Sequence, residues 1–182
     1  MRNLRWLLCL AVVLAPWCQT TLPAQKGEPA DKVELKVLDY DGLSKLILDN
    51  KGKVVMLDFW FYTCAPCKEA FWNLGEFHKK YGDKGLVVIS VNTDVDEDTH
   101  KAPDYVLKYL RDQKATFINV ALDASAEVKK DKLRLLSYPC VYVFNQEGQW
   151  VQLRGDDLKR DEKTHHYYQI EAYIKELLAK QK

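Results

Sequence analysis

The chain has 182 residues, which suits one domain with a single sizeable core and a short leader. Hydrophobic residues make up 47% and charged residues 29% of it, a balance that excludes disordered and fibrous classes of protein. The 27 basic and 26 acidic side chains give a net charge of +1, so no basic surplus indicates a nucleic acid partner or an anionic membrane surface.

The first 24 residues have the pattern of a secretory signal peptide. Arg2 and Arg5 form a positive n-region, and the apolar run at 6–14 is much shorter than the about 20 residues that span a bilayer. Pro16 ends this run, and the small residue Ala24 suits a cleavage site. We therefore predict that residues 1–24 are a signal peptide and that the mature protein is exported to the periplasm or another extracytoplasmic space.

Two other fates of the N-terminus remain open. Cleavage before Cys18 with attachment of a lipid is disfavoured by Trp17, because that position normally takes a small residue. An uncleaved leader would instead anchor the protein. Loss of the leader leaves three cysteines, and an odd number in an exported protein requires an explanation. They are Cys64, Cys67 and Cys140.

A polar linker at 25–32 precedes a predicted domain at 33–182, in which strands and helices alternate. The apolar pattern predicts strands at 33–37, 54–62, 86–91, 116–122, 141–144 and 150–153. Helical spacing predicts helices at 43–50, 66–81, 103–110, 124–132 and 166–179. Alternation favours parallel strands, and the turn at 145–148 predicts an antiparallel hairpin. The fold class is therefore α/β, with a central mixed β-sheet flanked by helices.

The chemistry is concentrated in Cys64-Ala65-Pro66-Cys67, where the apolar strand ends and a helix begins. A helix start favours an anion, so we expect the pKa of the Cys64 thiol to lie below its usual value of about 8.5. Cys67 lies on the same helix face within disulfide reach, and should be more buried and able to resolve a mixed disulfide. A zinc site is the alternative, but it usually needs a second ligand pair, which neither Cys140 nor the scattered histidines supply.

The segment 55–68 closely resembles the active-site strand and motif of the thioredoxin superfamily. A wider frame resembles the exported TlpA-like thiol–disulfide oxidoreductases, and it covers 33–182. Its further marks are Gly52-Lys53-Val54-Val55, Asn92-Thr93-Asp94, Asp123 and Tyr138-Pro139. The resemblance implies a thioredoxin fold with an inserted strand–helix segment around Asp123. It also implies a redox-active disulfide as the only redox group, without a separate cofactor or metal.

Two residues of the apolar strand have a possible role at the site. Asp58 interrupts the strand, and burial should raise the pKa of its carboxyl group. The resemblance places it beneath Cys67, where it would handle the proton of that thiol; the alternative is a buried aspartate with a structural role only. Trp60 is interpreted as a core residue, although the resemblance would also make it a wall behind the site.

The resemblance further implies that Pro139 is a cis-proline beside the cysteine pair, and that the Tyr138 backbone pairs with the substrate chain. The alternative is an ordinary trans proline. Two positions depart from the family: Thr63 replaces the usual tryptophan before Cys64, and Cys140 replaces the usual threonine after Pro139. Because both flank the reactive sulfur, the substrate choice and reduction potential of the family cannot be transferred to this protein.

The main functional prediction is an enzyme that exchanges disulfides with protein substrates outside the cytoplasm. The resemblance favours a reductant, acting for example on apocytochrome c thiols and supplied with electrons by a membrane partner. The alternative is a carrier that binds copper or another soft metal through Cys64, Cys67 and Cys140. A peroxidase is disfavoured, because Phe61 stands where that chemistry needs a threonine.

Cys140 is open to three interpretations: a small buried hydrophobe, a third partner in disulfide exchange, or a metal ligand. We expect it to lie within several ångströms of Cys64 and to alter its reactivity. The acidic run at 94–98 is interpreted as a solvated surface, since its spacing fits no calcium loop. His78, His100 and His165-His166 are likewise predicted to be solvated and without function.

Overall fold

The computed structural model describes residues 33–154 and 167–180. The predicted signal peptide and linker, 1–32, and His165-His166 lie outside the described residues. The strands are β1 Lys36–Leu38, β2 Val54–Trp60, β3 Leu86–Asn92, β4 Ile118–Leu122, β5 Cys140–Phe144 and β6 Trp150–Arg154. The α-helices are α1 Tyr40–Asp49, α2 Ala65–Ala70, α3 Trp72–Tyr81, α4 Asp104–Asp112 and α5 Tyr167–Ala179. Within these ranges, no helix is both long and apolar enough to cross a membrane.

The six strands form one mixed sheet in the order β1-β4-β3-β2-β5-β6. The first four strands of this order are parallel, and β5 and β6 run antiparallel to their neighbours. The strand β2 is central, and Asp58 in its middle lies opposite Ser90 on β3 and Val141 on β5. The predicted α/β class, the mixed sheet and the terminal hairpin are confirmed.

All seven residues of β2 are buried, because both faces of the sheet are covered. On one face, Val54, Met56 and Trp60 pack with residues of α3, α4 and α5 in what we call the first core cluster. On the other face, Val55, Leu57 and Phe59 pack with α1 and the segment before β5 in the second core cluster. Cys64 and Cys67 belong to the first cluster, so the candidate site lies on that side of the sheet.

The predicted helix at 66–81 is in fact two helices that meet at Phe71. The Phe71 N–H bonds to the carbonyl of Lys68, only three residues back, so the chain tightens there. Its ring is buried and lies 5.2 Å, centroid to centroid, from both Trp60 and Tyr109. The helical spacing of the sequence predicts one helix here and does not show this break.

Two other elements differ in extent from the prediction. The first strand covers Lys36–Leu38 rather than 33–37, because these are the residues that pair with β4 at the sheet edge. The predicted short helix at 124–132 contains a π-helical turn, Val128–Lys132, whose wider spacing ends in a bond from the Leu133 N–H to the Val128 carbonyl at 3.1 Å. Together β4 and this turn form the strand–helix segment that was predicted as an insertion.

Candidate active site

A disulfide joins Cys64 and Cys67 where β2 leads into α2, and their Cα atoms are 5.3 Å apart. Cys64 is the N-cap residue of α2, and its sulfur accepts a hydrogen bond from the Cys67 N–H at 3.2 Å. Pro66 lies in the first turn, where a missing N–H costs no helical hydrogen bond. Cys64 is 5% exposed and Cys67 2% exposed, whereas Thr63 and Pro66 beside them are exposed. Cys67 is therefore the slightly more buried residue of the pair, as the sequence predicts.

The position of the pair makes its two sulfurs chemically different. Once the bond is reduced, a Cys64 thiolate would keep the N–H donor of Cys67 and the positive end of the first helical turn. Both features favour the anion, which is the attacking species in disulfide exchange. The Cys67 sulfur lies inside the turn, where it can attack Cys64 but is less open to a substrate.

The loop that carries Cys64 is attached to the end of β3 by Asp94, which the sequence marked only as part of the family resemblance and to which it assigned no role. The Asp94 carboxylate accepts hydrogen bonds from the Tyr62 N–H at 2.6 Å and from Asn92 Nδ2 at 2.8 Å. The Thr93 N–H also donates to the Trp60 carbonyl at 2.9 Å. Asp94 is half-buried, so the solvated surface predicted for 94–98 is wrong at this residue. The sequence could have indicated this role, because Asp94 follows closely on β3 and the carboxyl ends of neighbouring parallel strands lie side by side.

The peptide bond between Tyr138 and Pro139 is cis, as the family resemblance implies. The Tyr138 ring makes an edge contact with Phe61, with centroids 5.0 Å apart. Phe61 precedes Cys64 by three residues, so the cis-proline loop contacts the segment that leads to the disulfide. The predicted substrate-binding roles of Tyr138, Pro139 and Thr63 stay predictions.

Asp58 is buried at 2% exposure, and burial raises the pKa of its carboxyl group to about 7. The Tyr167 hydroxyl donates a hydrogen bond to Asp58 Oδ2, which partly opposes this shift because it stabilises the carboxylate. The raised Asp58 pKa expected from the sequence therefore has its cause in the burial of the carboxyl group. Sequence reasoning missed Tyr167, although it shares the buried stripe of α5 with Ile170 and Ile174.

Aromatic rings surround Trp60, which is 1% exposed and lies in the first core cluster, as the core interpretation expects. The Tyr109 ring lies 5.2 Å from Trp60 and 6.1 Å from Tyr62, centroid to centroid. The Lys68 ammonium of α2 lies 4.4 Å from the centre of the Tyr62 ring and 5.4 Å from that of Tyr109. These cation–π contacts connect the helix of the disulfide to α4.

Cys140 directly follows the cis-proline and begins β5. It is fully buried in the second core cluster, opposite Phe59 on β2, whereas Cys64 and Cys67 belong to the first cluster. The reason is strand alternation: Phe59 and Cys140 point to the face of the sheet opposite that of Asp58 and Trp60. Gln152 Nε2 donates to the Cys140 sulfur at 3.2 Å. Cys140 and the disulfide therefore face opposite sides of the sheet, and the expectation that Cys140 lies within several ångströms of Cys64 and alters its reactivity stays a prediction.

The copper alternative requires all three cysteines at one place, and the structure separates them. Within residues 33–154 and 167–180, no three histidine, cysteine or acidic side chains come together in a group that could hold a metal ion. Cys140 faces the second core cluster, and the other two cysteines face the first. The arrangement offers no support for a soft-metal carrier built on these residues.

A mixed sheet whose central strand leads to a helix-capping disulfide, with a cis-proline loop in contact with that segment, defines the thioredoxin fold. A family profile described as thioredoxin-like matches residues 52–150. The chain therefore belongs to the thioredoxin-like family, and its site is that of a thiol–disulfide oxidoreductase.

Curated relatives and solved structures agree with this assignment. The chain is 29% identical to thiol-disulfide oxidoreductase ResA of Bacillus thuringiensis subsp. konkukian over 142 residues, 78% of this chain and 73% of the relative. It is 29% identical to thioredoxin-like protein YneN of Bacillus subtilis over 124 residues, 68% of each chain. A crystal structure assigned as thiol:disulfide interchange protein DsbE from Chlorobium tepidum has a TM-score of 0.54 and 27% identity, and the match covers 70% of this chain and 84% of that one.

Proposed function

We propose that this protein reduces disulfide bonds of protein substrates outside the cytoplasm, with Cys64 and Cys67 as its redox pair. The observation that carries the proposal is the Cys64–Cys67 disulfide at the start of α2, in which Cys64 is the N-cap and the slightly more exposed residue. The relatives named thiol-disulfide oxidoreductase support the same reaction class.

The reaction proceeds by two exchanges of sulfur bonds. The Cys64 thiolate attacks one sulfur of the substrate disulfide, and the other substrate sulfur leaves as a thiolate. Cys67 then attacks the Cys64 sulfur of the mixed disulfide and releases the second substrate thiolate. Two electrons pass from the dithiol to the substrate, and the Cys64–Cys67 bond seen in the structure is the product.

Asp58 is the proposed acceptor of the Cys67 proton in the second exchange. The raised pKa of Asp58, about 7, lets the group take up and release a proton near neutral pH. In the first exchange, the Tyr138 backbone, Pro139 and Thr63 would contact the substrate chain. The exposure of Thr63 and the contact between the Tyr138 loop and Phe61 support this placement.

The proposed location is the periplasm or another extracytoplasmic space, on the basis of the signal pattern at 1–24. A reductant outside the cytoplasm cannot draw directly on cytoplasmic reductants, so we infer a membrane partner that supplies the electrons. Apocytochrome c thiols are one candidate substrate. Cell fractionation tests the location, and recovery of the active protein from the cytoplasm would contradict it.

The central test is turnover with a peptide disulfide and an electrochemically defined reductant. Cys64→Ser is expected to abolish turnover, whereas Cys140→Ser is the matched control and is expected to retain it, because Cys140 lies in the other core cluster. The reduction potential then tests the direction. A reductant should be at least as reducing as the cytosolic glutathione pool, about −240 mV, and a value near the about −120 mV of a strong oxidant would contradict the proposal.

A further inference from the structure

A buried tyrosine at the start of the last helix contacts the carboxyl group that the proposed function uses. Tyr167 is the first residue of α5, and its hydroxyl donates to Asp58 Oδ2 on β2. Asp58 is 2% exposed and Tyr167 1% exposed, so bulk water does not compete for this hydrogen bond. The contact connects α5 to the strand that leads to the disulfide.

The hydrogen bond makes the two carboxyl oxygens of Asp58 different. Oδ2 accepts the Tyr167 hydroxyl, whereas Oδ1 is buried and has no hydrogen-bond partner among the residues that the structure describes. A neutral carboxyl group carries its proton on one oxygen, and an oxygen that already accepts a hydrogen bond is the poorer position for it. The proton of neutral Asp58 therefore belongs on Oδ1.

We propose that Tyr167 is a positioning residue that holds Oδ2 as an acceptor and directs proton exchange with Cys67 to Oδ1. This inference rests on the proposed function, in which Asp58 takes the Cys67 proton. In that step the Cys67 S–H bond breaks, the proton passes to Oδ1, and the sulfur keeps the electron pair with which it attacks Cys64. The substrate leaves as a thiolate, and Asp58 later returns its proton to solvent.

The groups around Asp58 determine how its titration responds to loss of the hydroxyl. Burial raises the Asp58 pKa and the Tyr167 hydrogen bond lowers it, and no charged side chain of the described residues contributes. On α4, burial and then the Asp58 charge raise the pKa of Tyr109 to about 12. The thiols on the same face of the sheet as Asp58 are those of the reduced Cys64–Cys67 pair. Cys140 contributes to the raised pKa of Tyr167 but not to that of Asp58. Loss of the hydroxyl should therefore raise the Asp58 pKa further.

Carbon-13 NMR of the Asp58 carboxyl group in the oxidised protein measures this titration directly. Tyr167→Phe keeps the buried ring and removes the hydroxyl, and it is expected to move the Asp58 midpoint to higher pH. Tyr81→Phe is the matched control, because it also removes a buried tyrosine hydroxyl that donates to a carboxylate, Glu171 of α5, at 2.5 Å. The control is expected to leave the Asp58 midpoint where it is.

The rate at which Cys67 resolves a preformed mixed disulfide at Cys64 provides a kinetic readout. Its pH profile is expected to shift upward in Tyr167→Phe, and Tyr167→Phe should add nothing to Asp58→Asn. An unchanged midpoint and an unchanged profile in Tyr167→Phe would overturn the role of Tyr167 while leaving that of Asp58 intact. Resolution at the parent rate in Asp58→Asn, at every pH, would instead overturn both.

If Tyr167→Phe does not fold, the parent protein tests the inference by itself. The ring carbon that bears the Tyr167 hydroxyl, Cζ, reports the charge on the oxygen to which that hydroxyl donates. Its resonance is expected to shift with the same midpoint as the Asp58 carboxyl carbon. A Cζ resonance that stays constant while Asp58 titrates would overturn the proposal.

Discussion

At the scale of single residues, the two cysteines of one disulfide have different surroundings. Cys64 precedes the first residue of α2 and its sulfur accepts the N–H of Cys67, whereas Cys67 lies inside the first turn. An attacking thiolate needs a stabilised charge and a path to the substrate, and a resolving thiol needs only to reach its neighbour. The division of roles between Cys64 and Cys67 follows from their positions in the turn.

We expect iodoacetamide to alkylate Cys64 before Cys67 when the reduced protein is treated near neutral pH. The reason is that the helix start favours the Cys64 thiolate and that Cys64 is the slightly more exposed residue of the pair. Peptide mass spectrometry after short reaction times measures the order. Earlier modification of Cys67 would reverse the two roles, and the buried Cys140 should react last of the three.

At the scale of elements, the site depends on how β2 is joined to α2. The connecting loop is held from one side by Asp94 at the end of β3 and from the other by the ring contact between Phe61 and Tyr138. Neither contact comes from the helix that carries the disulfide. The position of Cys64 is therefore set by neighbouring strands rather than by α2 alone, which has only six residues.

Asp94→Ala is expected to lower the free energy of unfolding by about 1–3 kcal/mol, because the half-buried Tyr62 N–H loses a charged acceptor. The matched control is Asp96→Ala, two residues further on. Asp96 is exposed, and among the described residues its carboxylate accepts within its own turn, from Thr99 and Asp98, so its loss should cost about 1 kcal/mol or less. Urea unfolding gives both values, and faster amide hydrogen exchange at Tyr62 should occur in Asp94→Ala alone. Equal effects of the two substitutions would mean that Asp94 does not hold the loop.

At the scale of the whole molecule, α5 connects the helix α3 with the central strand β2. Its Glu171 accepts from Lys80 and Tyr81 of α3 at 2.5 Å each, and these bonds lower the pKa of Glu171 to about 2. Its Tyr167 donates to Asp58, whose pKa burial raises to about 7. The two carboxyl groups therefore have opposite effects on the dependence of folding on pH.

We predict that the oxidised protein is most stable near pH 4. Below the ordinary Glu171 pKa of 4.5, protonation of that group removes stability as the pH falls toward 2. Above the ordinary Asp58 pKa of 3.8, the folded state holds a proton that the unfolded state has lost, so stability falls as the pH rises to about 7 and is then level. The second effect is on the order of 4 kcal/mol for a shift of this size.

Denaturant titrations from pH 3 to pH 9 test this prediction. Asp58→Asn should remove the decline between pH 4 and 7 and raise the stability at pH 8 by roughly 2 to 4 kcal/mol, because no charge is then buried. Glu171→Gln is the control for the loss of stability below pH 4.5, and it should leave the decline between pH 4 and 7 in place. A parent protein whose stability is constant between pH 4 and 7 would show that Asp58 is not the buried acid described here.

The sequence by itself determined the features that depend on local pattern. Three features depend on residues that are close together in the chain, so they could be predicted: the apolar run of β2, the Cys64–Cys67 spacing at its end and the closing hairpin. The burial of Asp58 could be predicted too, because a single acidic residue in such a run has nowhere else to lie. The cis bond at Pro139 came from the family resemblance rather than from any pattern.

Only the tertiary structure decided the features that join residues distant in the chain. Phe71, where α2 and α3 meet, contacts Trp60 and Tyr109 on other elements. Asp94 binds the Tyr62 N–H because the strands β2 and β3 end side by side. The face occupied by Cys140 depends on the register of β5 against β2, and a shift of one residue would reverse it. The spacing of apolar residues shows whether a segment is a helix or a strand, but not which other elements it packs against. These contacts could therefore not be derived before the elements were packed together.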